Sequence, residues 1–273
     1  MDSQKRPRGR PKSAFKESSA GTMQSLDRAL GVLTTVARLE RVALSDLARE
    51  VDIPTATTHR ILMTLQKHGF VTIDEERQEW MVGIEAYRTG ASFLRRNNIL
   101  EIGRPILRRL MQDSGETANL AVPDGSEVVF VGQVETQNPI RAFFPPGART
   151  PMYASGTGKA ILAALSTEGL SMALGATDLI AFTENTHLPG SGLHEDLDET
   201  RARGWSYDHQ ERYEGMSCIG AAIFNDRAEP CAGISVSGPT VRFSRGRAPE
   251  LGALVSCAAQ EITQLSGGQL PKG

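Results

Sequence analysis

The sequence predicts an α+β protein in two parts: an N-terminal winged helix-turn-helix and a larger domain on an antiparallel sheet, joined by a helical linker. Three observations carry this. Ala43–Phe70 holds two helical patterns separated by Asp52-Ile53-Pro54. Two short apolar runs around a charged tip follow at once, the mark of a β-hairpin. From Gly115 onward, strand-like runs meet helices with no regular βαβ repeat.

At 273 residues the chain can bury two ordinary cores, and its formal net charge is −2. No apolar run reaches membrane-span length, and the charged start lacks the apolar stretch of a secretory signal. Cys218, Cys231 and Cys257 are too scattered for a disulfide framework, and there is no C-x-x-C pair. His187, His194 and His209 show no ligand spacing, although the first two are seven apart. A cytoplasmic protein with reduced thiols, no metal and no membrane association is expected.

Residues 1–20 form a basic arm in which Lys5, Arg6, Arg8, Arg10, Lys12 and Lys16 face only Asp2 and Glu17. With almost nothing apolar to bury, the arm is expected to be disordered. Pro7-Arg8-Gly9-Arg10-Pro11-Lys12 resembles an AT-hook, in which Arg8 and Arg10 would enter a narrow minor groove. A solubilising tail is the alternative.

Residues 21–83 make the winged helix-turn-helix. Ser25–Leu39 reads as a helix with Leu26, Ala29, Leu30, Leu33, Val36 and Ala37 buried. Ser45 is expected to cap a short second helix. Pro54 suits the first turn of a third, whose Thr58, Ile61, Leu62 and Leu65 share one face. Thr55, Thr57, His59 and Arg60 fall outside that face and would contact DNA in the major groove. Gly69 suits the C′ position. An ordinary helical hairpin would give the same two helices; the strands Phe70–Ile73 and Glu79–Val82 favour the winged form. The tip Asp74–Gln78 is acidic for a wing, and Arg77 is its one plausible phosphate contact.

Residues 84–114 make the linker. Its first helix, from Gly83 to about Asn98, has a less polar stripe of Ala86, Tyr87, Gly90, Ala91, Phe93 and Leu94, which suits close helix approach and dimerisation. Its second, Ile99–Ser114, contains Pro105, so an irregular or late start is expected.

Residues 115–266 carry strands at Thr117–Val122, Glu127–Gln133, Ile140–Phe144, Trp205–Asp208, Ser217–Phe224 and Cys231–Ser237. Helices are expected at Lys159–Leu165, Thr167–Leu174, near His194–Arg203 and near Pro249–Leu265. The tail, 267–273, reads as frayed.

Ser155-Gly156-Thr157-Gly158-Lys159 is not a phosphate loop, because Tyr153 and Ala160 stand where that motif needs glycine and Ser/Thr. A glycine-rich turn opening a helix still offers free N–H groups and a positive helix end to a carboxylate. A tight packing turn is the alternative. Ser235 and Ser237, two apart in a strand, share a face. A nucleophilic pairing of Cys218 with His209 lacks an orienting third residue. Cys231 and Cys257 read as small core residues.

These residues together resemble the IclR-type transcriptional regulators over essentially the whole chain after the arm. The matching stretches are Ser25-Leu26-Asp27-Arg28-Ala29, Leu47-Ala48, Ile53–Arg60, Tyr153–Ala160, Gly204, Tyr207-Asp208, Glu211, Gly215–Ile219 and Ile234–Pro239. The resemblance implies a DNA-binding regulator, not an enzyme, with a GAF-like effector domain and no cofactor. It also implies dimers or tetramers on palindromic double-stranded operators. Ala56 stands where the family often has serine, which weakens direct readout there.

The arm and Ser114-Gly115-Glu116-Thr117-Ala118-Asn119 further resemble the glyoxylate-responsive regulators of allantoin utilisation. On that resemblance Gly156, Thr157, Asp208, Cys218, Ser235 and Ser237 would bind a small 2-oxo acid, glyoxylate first and pyruvate second. An anionic Asp208 would repel such a ligand unless it is protonated or accepts a hydrogen bond from the hydrated aldehyde. A larger or aromatic carboxylate, and an enzyme using Cys218 or Ser235, are the alternatives.

Overall fold

The computed structural model describes residues 23–96, 98–175 and 179–271, apart from the side chains of residues 93–96. The arm with Arg8 and Arg10 lies outside the described residues. The chain divides into two compact units, Met1–Phe93 and Leu94–Gly273.

The first unit contains α1 (Gln24–Leu39), β1 (Val42–Ala43), α2 (Leu44–Glu50), α3 (Thr55–Lys67), β2 (Val71–Asp74) and β3 (Glu79–Val82), followed by α4 (Ile84–Arg96). Val32, Val36, Leu47, Leu62, Val71 and Trp80 form its core. The small sheet has the order β1-β3-β2. β1 was not legible in the sequence, because two residues carry no periodicity. It also displaces the expected cap: α2 starts at Leu44 directly after Ala43, and Ser45 makes no capping bond.

Asp52 takes the tight turn before α3 at φ +50°, a conformation that aspartate tolerates better than most residues. Pro54 is the N-cap, one position outside the helix rather than in its first turn. At the other end Gly69 (φ +74°) closes a Schellman motif. Its N–H donates to Gln66 O at 2.9 Å, and Phe70 N–H donates to Leu65 O at 2.9 Å. Only the C-terminal half of α1 sits on the core. Leu26 and Leu30, expected to be buried, are 55% and 53% exposed, and Ala37 is exposed as well. On α4, Tyr87 is 70% exposed.

The second unit contains α5 (Ile99–Ser114), β4 (Thr117–Asp124), β5 (Glu127–Val134), β6 (Arg149–Pro151), α6 (Gly156–Ala164), α7 (Thr167–Gly175), α8 (Leu193–Arg203), β7 (Ser206–His209), β8 (Met216–Phe224), β9 (Pro230–Pro239) and α9 (Ala248–Leu265). The strands form one antiparallel sheet, β6-β5-β4-β9-β8-β7. α5 and α9 cover one face; α6, α8 and the 3₁₀ turn Met152–Ala154 pack into a second cluster with Ala121, Val128 and Phe130.

Four expectations need correction. Residues 140–144 form no strand; Pro139, Pro145 and Pro146 flank them, and side chains hold them instead. Thr117 Oγ1 donates to Ala142 O at 3.1 Å, and Arg242 Nη2 donates to Ile140 O at 3.0 Å. The edge strand is β6. α5 runs through Pro105. The tail is held through Gln269, whose N–H donates to Asn225 O at 2.9 Å. Cys257 is exposed on the outer side of α9 and so is not a core residue, whereas Cys231 is half-buried and packs against the core.

Candidate effector pocket and nucleic-acid interface

Strand register assembles the pocket. Across β7, β8, β9 and β4, Asp208 lies opposite Cys218, Cys218 opposite Ser237, and Ser237 opposite Thr117. Two residues along each strand, Ser206, Gly220, Ser235 and Asn119 form a parallel row. Opposed residues and their i+2 neighbours point to one face, so both rows face the same way. His209, one residue on from Asp208, belongs to the other face. It pairs with Ser217, and its Nδ1 lies 3.0 Å from Tyr207 Oη.

The start of α6 sits on these rows. A Cβ on Gly220 would come 2.6 Å from Gly156 C, and one on Gly156 would come 2.7 Å from Cys218 Sγ. Two glycines are therefore required for the helix end to reach the sheet. Ser155 caps α6 by accepting from Gly158 N–H at 3.0 Å. Its carbonyl accepts from Lys159 N–H at 2.9 Å. The Gly156 and Thr157 N–H groups, at the first two helical positions, have no carbonyl a turn earlier to bond. Ser206 Oγ donates to Gly156 O at 2.5 Å, anchoring the turn.

A cavity of about 30 Å³ opens here, lined by Ser155, Thr157, Asp208, Cys218 and Ser237 and walled by Phe130 and Phe144, whose rings stack at 4.7 Å. That is room for roughly two or three waters. Four of the six sequence-derived candidates line it: Thr157, Asp208, Cys218 and Ser237. Gly156 and Ser235 lie beside it without lining it. The Ser235 hydroxyl is buried with no oxygen or nitrogen partner and faces the Cys218 thiol. Asn119, which donates to Ser237 Oγ at 3.3 Å and accepts from Gln133 at 3.0 Å, orients the serine.

Beneath the pocket lies a charge cluster whose role was not visible in the sequence. Lys159 is fully buried; its Nζ contacts Glu211 Oε1 at 2.5 Å and Asp196 Oδ2 at 2.8 Å, and donates to Tyr207 O at 2.7 Å. Burial disfavours the charged lysine, but Glu211, Asp196 and Asp208 outweigh it and hold the ammonium above its usual range. Asp208 accepts from Glu211 N–H at 2.8 Å. Burial pushes its carboxyl up to about 7; Glu211 adds to this and Lys159 opposes it. Burial pushes the Cys218 thiol up to about 11, with Asp208 adding and the Ser237 and Ser235 hydroxyls opposing. A thiol so held is protonated at neutral pH, the opposite of an activated nucleophile.

In the first unit, Thr55, His59 and Arg60 are exposed and Thr57 half-buried along α3. Thr58 holds the helix to the turn, its Oγ1 donating to Ile53 O at 3.2 Å. Exposed Ala56 sits among the outward residues. The wing is less repulsive to phosphate than its acidic sequence suggests. Asp74 accepts from the N–H groups of Arg77 and Glu76 at 3.2 and 3.1 Å and pairs with Arg41 at 3.1 Å. Those partners, the Arg77 N–H foremost, hold it below the usual carboxylate range.

A winged helix-turn-helix and an α+β domain in one chain are the parts of a DNA-binding transcriptional regulator. The comparisons agree. The model for the IclR helix-turn-helix domain matches residues 25–75, and that for the bacterial transcriptional regulator IclR C-terminal domain matches residues 91–264. The chain is 44% identical over 267 residues to the HTH-type transcriptional regulator BhcR of Paracoccus denitrificans, covering 98% of this chain and 94% of that one. It is 43% identical over 264 residues to the transcriptional repressor IclR of Escherichia coli (96% of each). Against the E. coli repressor AllR it is 35% identical over 263 residues (96% and 97%). The crystal structure of Thermotoga maritima IclR aligns with a TM-score of 0.75 at 28% identity, covering 90% of this chain and 100% of that one. The chain belongs to the IclR family of bacterial transcriptional regulators, which are not enzymes. Among the described residues no helix is long and apolar enough to cross a membrane.

Proposed function

We propose that this cytoplasmic regulator senses a small 2-oxo acid, with glyoxylate preferred over pyruvate, and adjusts its grip on a palindromic operator in genes of small-carboxylate metabolism. The observation that carries the reading is the cavity of about 30 Å³. It brings the N-terminal end of α6 and the Ser155 and Ser237 hydroxyls together with an Asp208 that can be neutral at physiological pH. Its size disfavours an aromatic acid, and the Phe130–Phe144 wall leaves little room to extend it. A thermal-shift panel of glyoxylate, pyruvate, oxalate and acetate tests the reading. Glyoxylate should raise the melting temperature most; no shift with either 2-oxo acid overturns it.

For DNA, α3 supplies Thr55, Thr57, His59 and Arg60. Among the described residues none of these side chains has a hydrogen bond or ion pair to another part of the chain. Arg60→Ala should lower affinity for a duplex selected from random sequence, checked by fluorescence anisotropy. Loss at one base pair, roughly 1–3 kcal/mol, marks base readout, and uniform loss marks a phosphate contact. Unchanged binding excludes both. Deleting residues 1–20 should weaken binding and flatten its salt dependence, because basic contacts release counterions. An unaltered salt slope would remove Arg8 and Arg10 from the interface.

The effector acts by favouring one arrangement of two DNA-binding units in a homodimer or homotetramer, to the extent of its differential affinity for the two states. The exposed Met23, just before α1, and Leu26 and Leu30 on it support self-association.

A further inference from the structure

A second cavity, about 220 Å³ and open on one side, lies among α6, α8, α9 and the end of β8. It shares no lining residue with the first. β7 supplies its cause: its pairing with β8 covers only Ser217–Gly220, and β8 continues to Phe224 with no strand on that side. The hollow beyond the end of β7 is lined by Ala160, Ala163, Ala164, Ala221, Ala222 and Ala259, which leave it unfilled.

Two polar groups break this apolar lining. Thr200 is 3% exposed, and its Oγ1 is buried with no hydrogen-bond partner. Arg201 stands beside it with its side chain 52% exposed. Its Nε donates to Ala163 O at 2.9 Å and its Nη1 to Asp198 at 2.6 Å, which leaves Nη2 uncommitted. Leu270 and Pro271 form part of the lining at the chain's end.

We propose that this cavity is a second ligand site, for a small carboxylic acid with a compact apolar body. The body lies among the alanines and the carboxylate accepts from the Thr200 hydroxyl and Arg201 Nη2. An apolar cavity of about 150 Å³ is enough to take up benzene, so a ring bearing one carboxylate fits the volume. A buried hydroxyl without a partner gains one when such a ligand arrives.

Benzoate is the probe, titrated into the full chain by calorimetry. Saturable one-site binding is expected, with a dissociation constant of about 1 mM or tighter. Thr200→Val keeps the shape of the side chain and should weaken binding at least about tenfold. Ala164→Leu, which narrows the hollow, should abolish it, whereas Cys218→Leu, which narrows the first pocket, should leave it unchanged. No saturable binding overturns the proposal. So does loss in Cys218→Leu with retention in Thr200→Val, which would assign benzoate to the first pocket.

Discussion

Lys159→Met should destabilise the effector domain by about 3–5 kcal/mol at neutral pH, the usual result of stripping one partner from a buried ion pair. The methionine replaces the stem without strain, but the charge it removes is the cation in closest contact with Glu211 Oε1, at 2.5 Å, and Asp196 Oδ2, at 2.8 Å; Arg203 stands 3.9 Å from Asp196. Glu211 is 1% exposed and has no water to turn to. For a domain of this size the melting temperature should fall by roughly 6–20 °C. Acidification should return part of the loss, because protonating the orphaned carboxylates removes their cost. Adding Glu211→Gln should do the same at neutral pH. Scanning calorimetry at pH 5 and pH 7 on the single and double variants checks each step. A Lys159→Met protein within about 1 kcal/mol of the parent would mean the cluster neutralises itself without cost, and the account of it would be wrong.

That cluster shows where the sequence stopped being readable. Lys159 stood in plain view as the lysine of a failed phosphate loop, but its partners Asp196 and Glu211 lie far along the chain, and no local pattern links them. The helix-turn-helix and wing were legible because their cues are local: the spacing of Thr58, Ile61, Leu62 and Leu65, the turn at Gly69, and a short hairpin. Ser235 and Ser237 were legible as a pair for the same reason, the two-residue period of a strand. That Asp208, Cys218, Ser237 and Thr117 form one row depends on strand order β7-β8-β9-β4, which periodicity does not encode. Ile140–Phe144 failed in the opposite sense. Its residues suit a strand, but flanking prolines deny it a ladder, and side chains of Thr117 and Arg242 hold its carbonyls.

Effector affinity should be flat below about pH 6 and fall by about tenfold per pH unit well above pH 7, under the proposed reading of the pocket. The groups around Asp208 set the direction. Glu211 follows it in the chain, Asp196 comes from α8, and Lys159 from α6 is the one cation among them. Arg212 adds a second cation on the pocket wall, but Asp208 is the carboxylate that lines the cavity itself, so a proton on it removes the negative charge nearest a bound anion. Asp208 keeps that proton up to about pH 7, so a monoanionic 2-oxo acid binds the neutral form. Above that pH it must bring a proton with it. The same raised value makes the unliganded fold lose stability as pH rises from about 4, where an unfolded aspartate ionises, to about 7, where the folded one does. Above that the Asp208 contribution is level. Asp208→Asn fixes the neutral state and should flatten the affinity profile, and calorimetry in buffers of different ionisation enthalpy should find about one proton taken up by the parent at pH 8 and none by the variant. Glyoxylate bound by the parent at pH 8 without proton uptake, and as tightly as at pH 6, would show that the carboxylate tolerates the ionised Asp208 and that the pocket is not tuned by its charge.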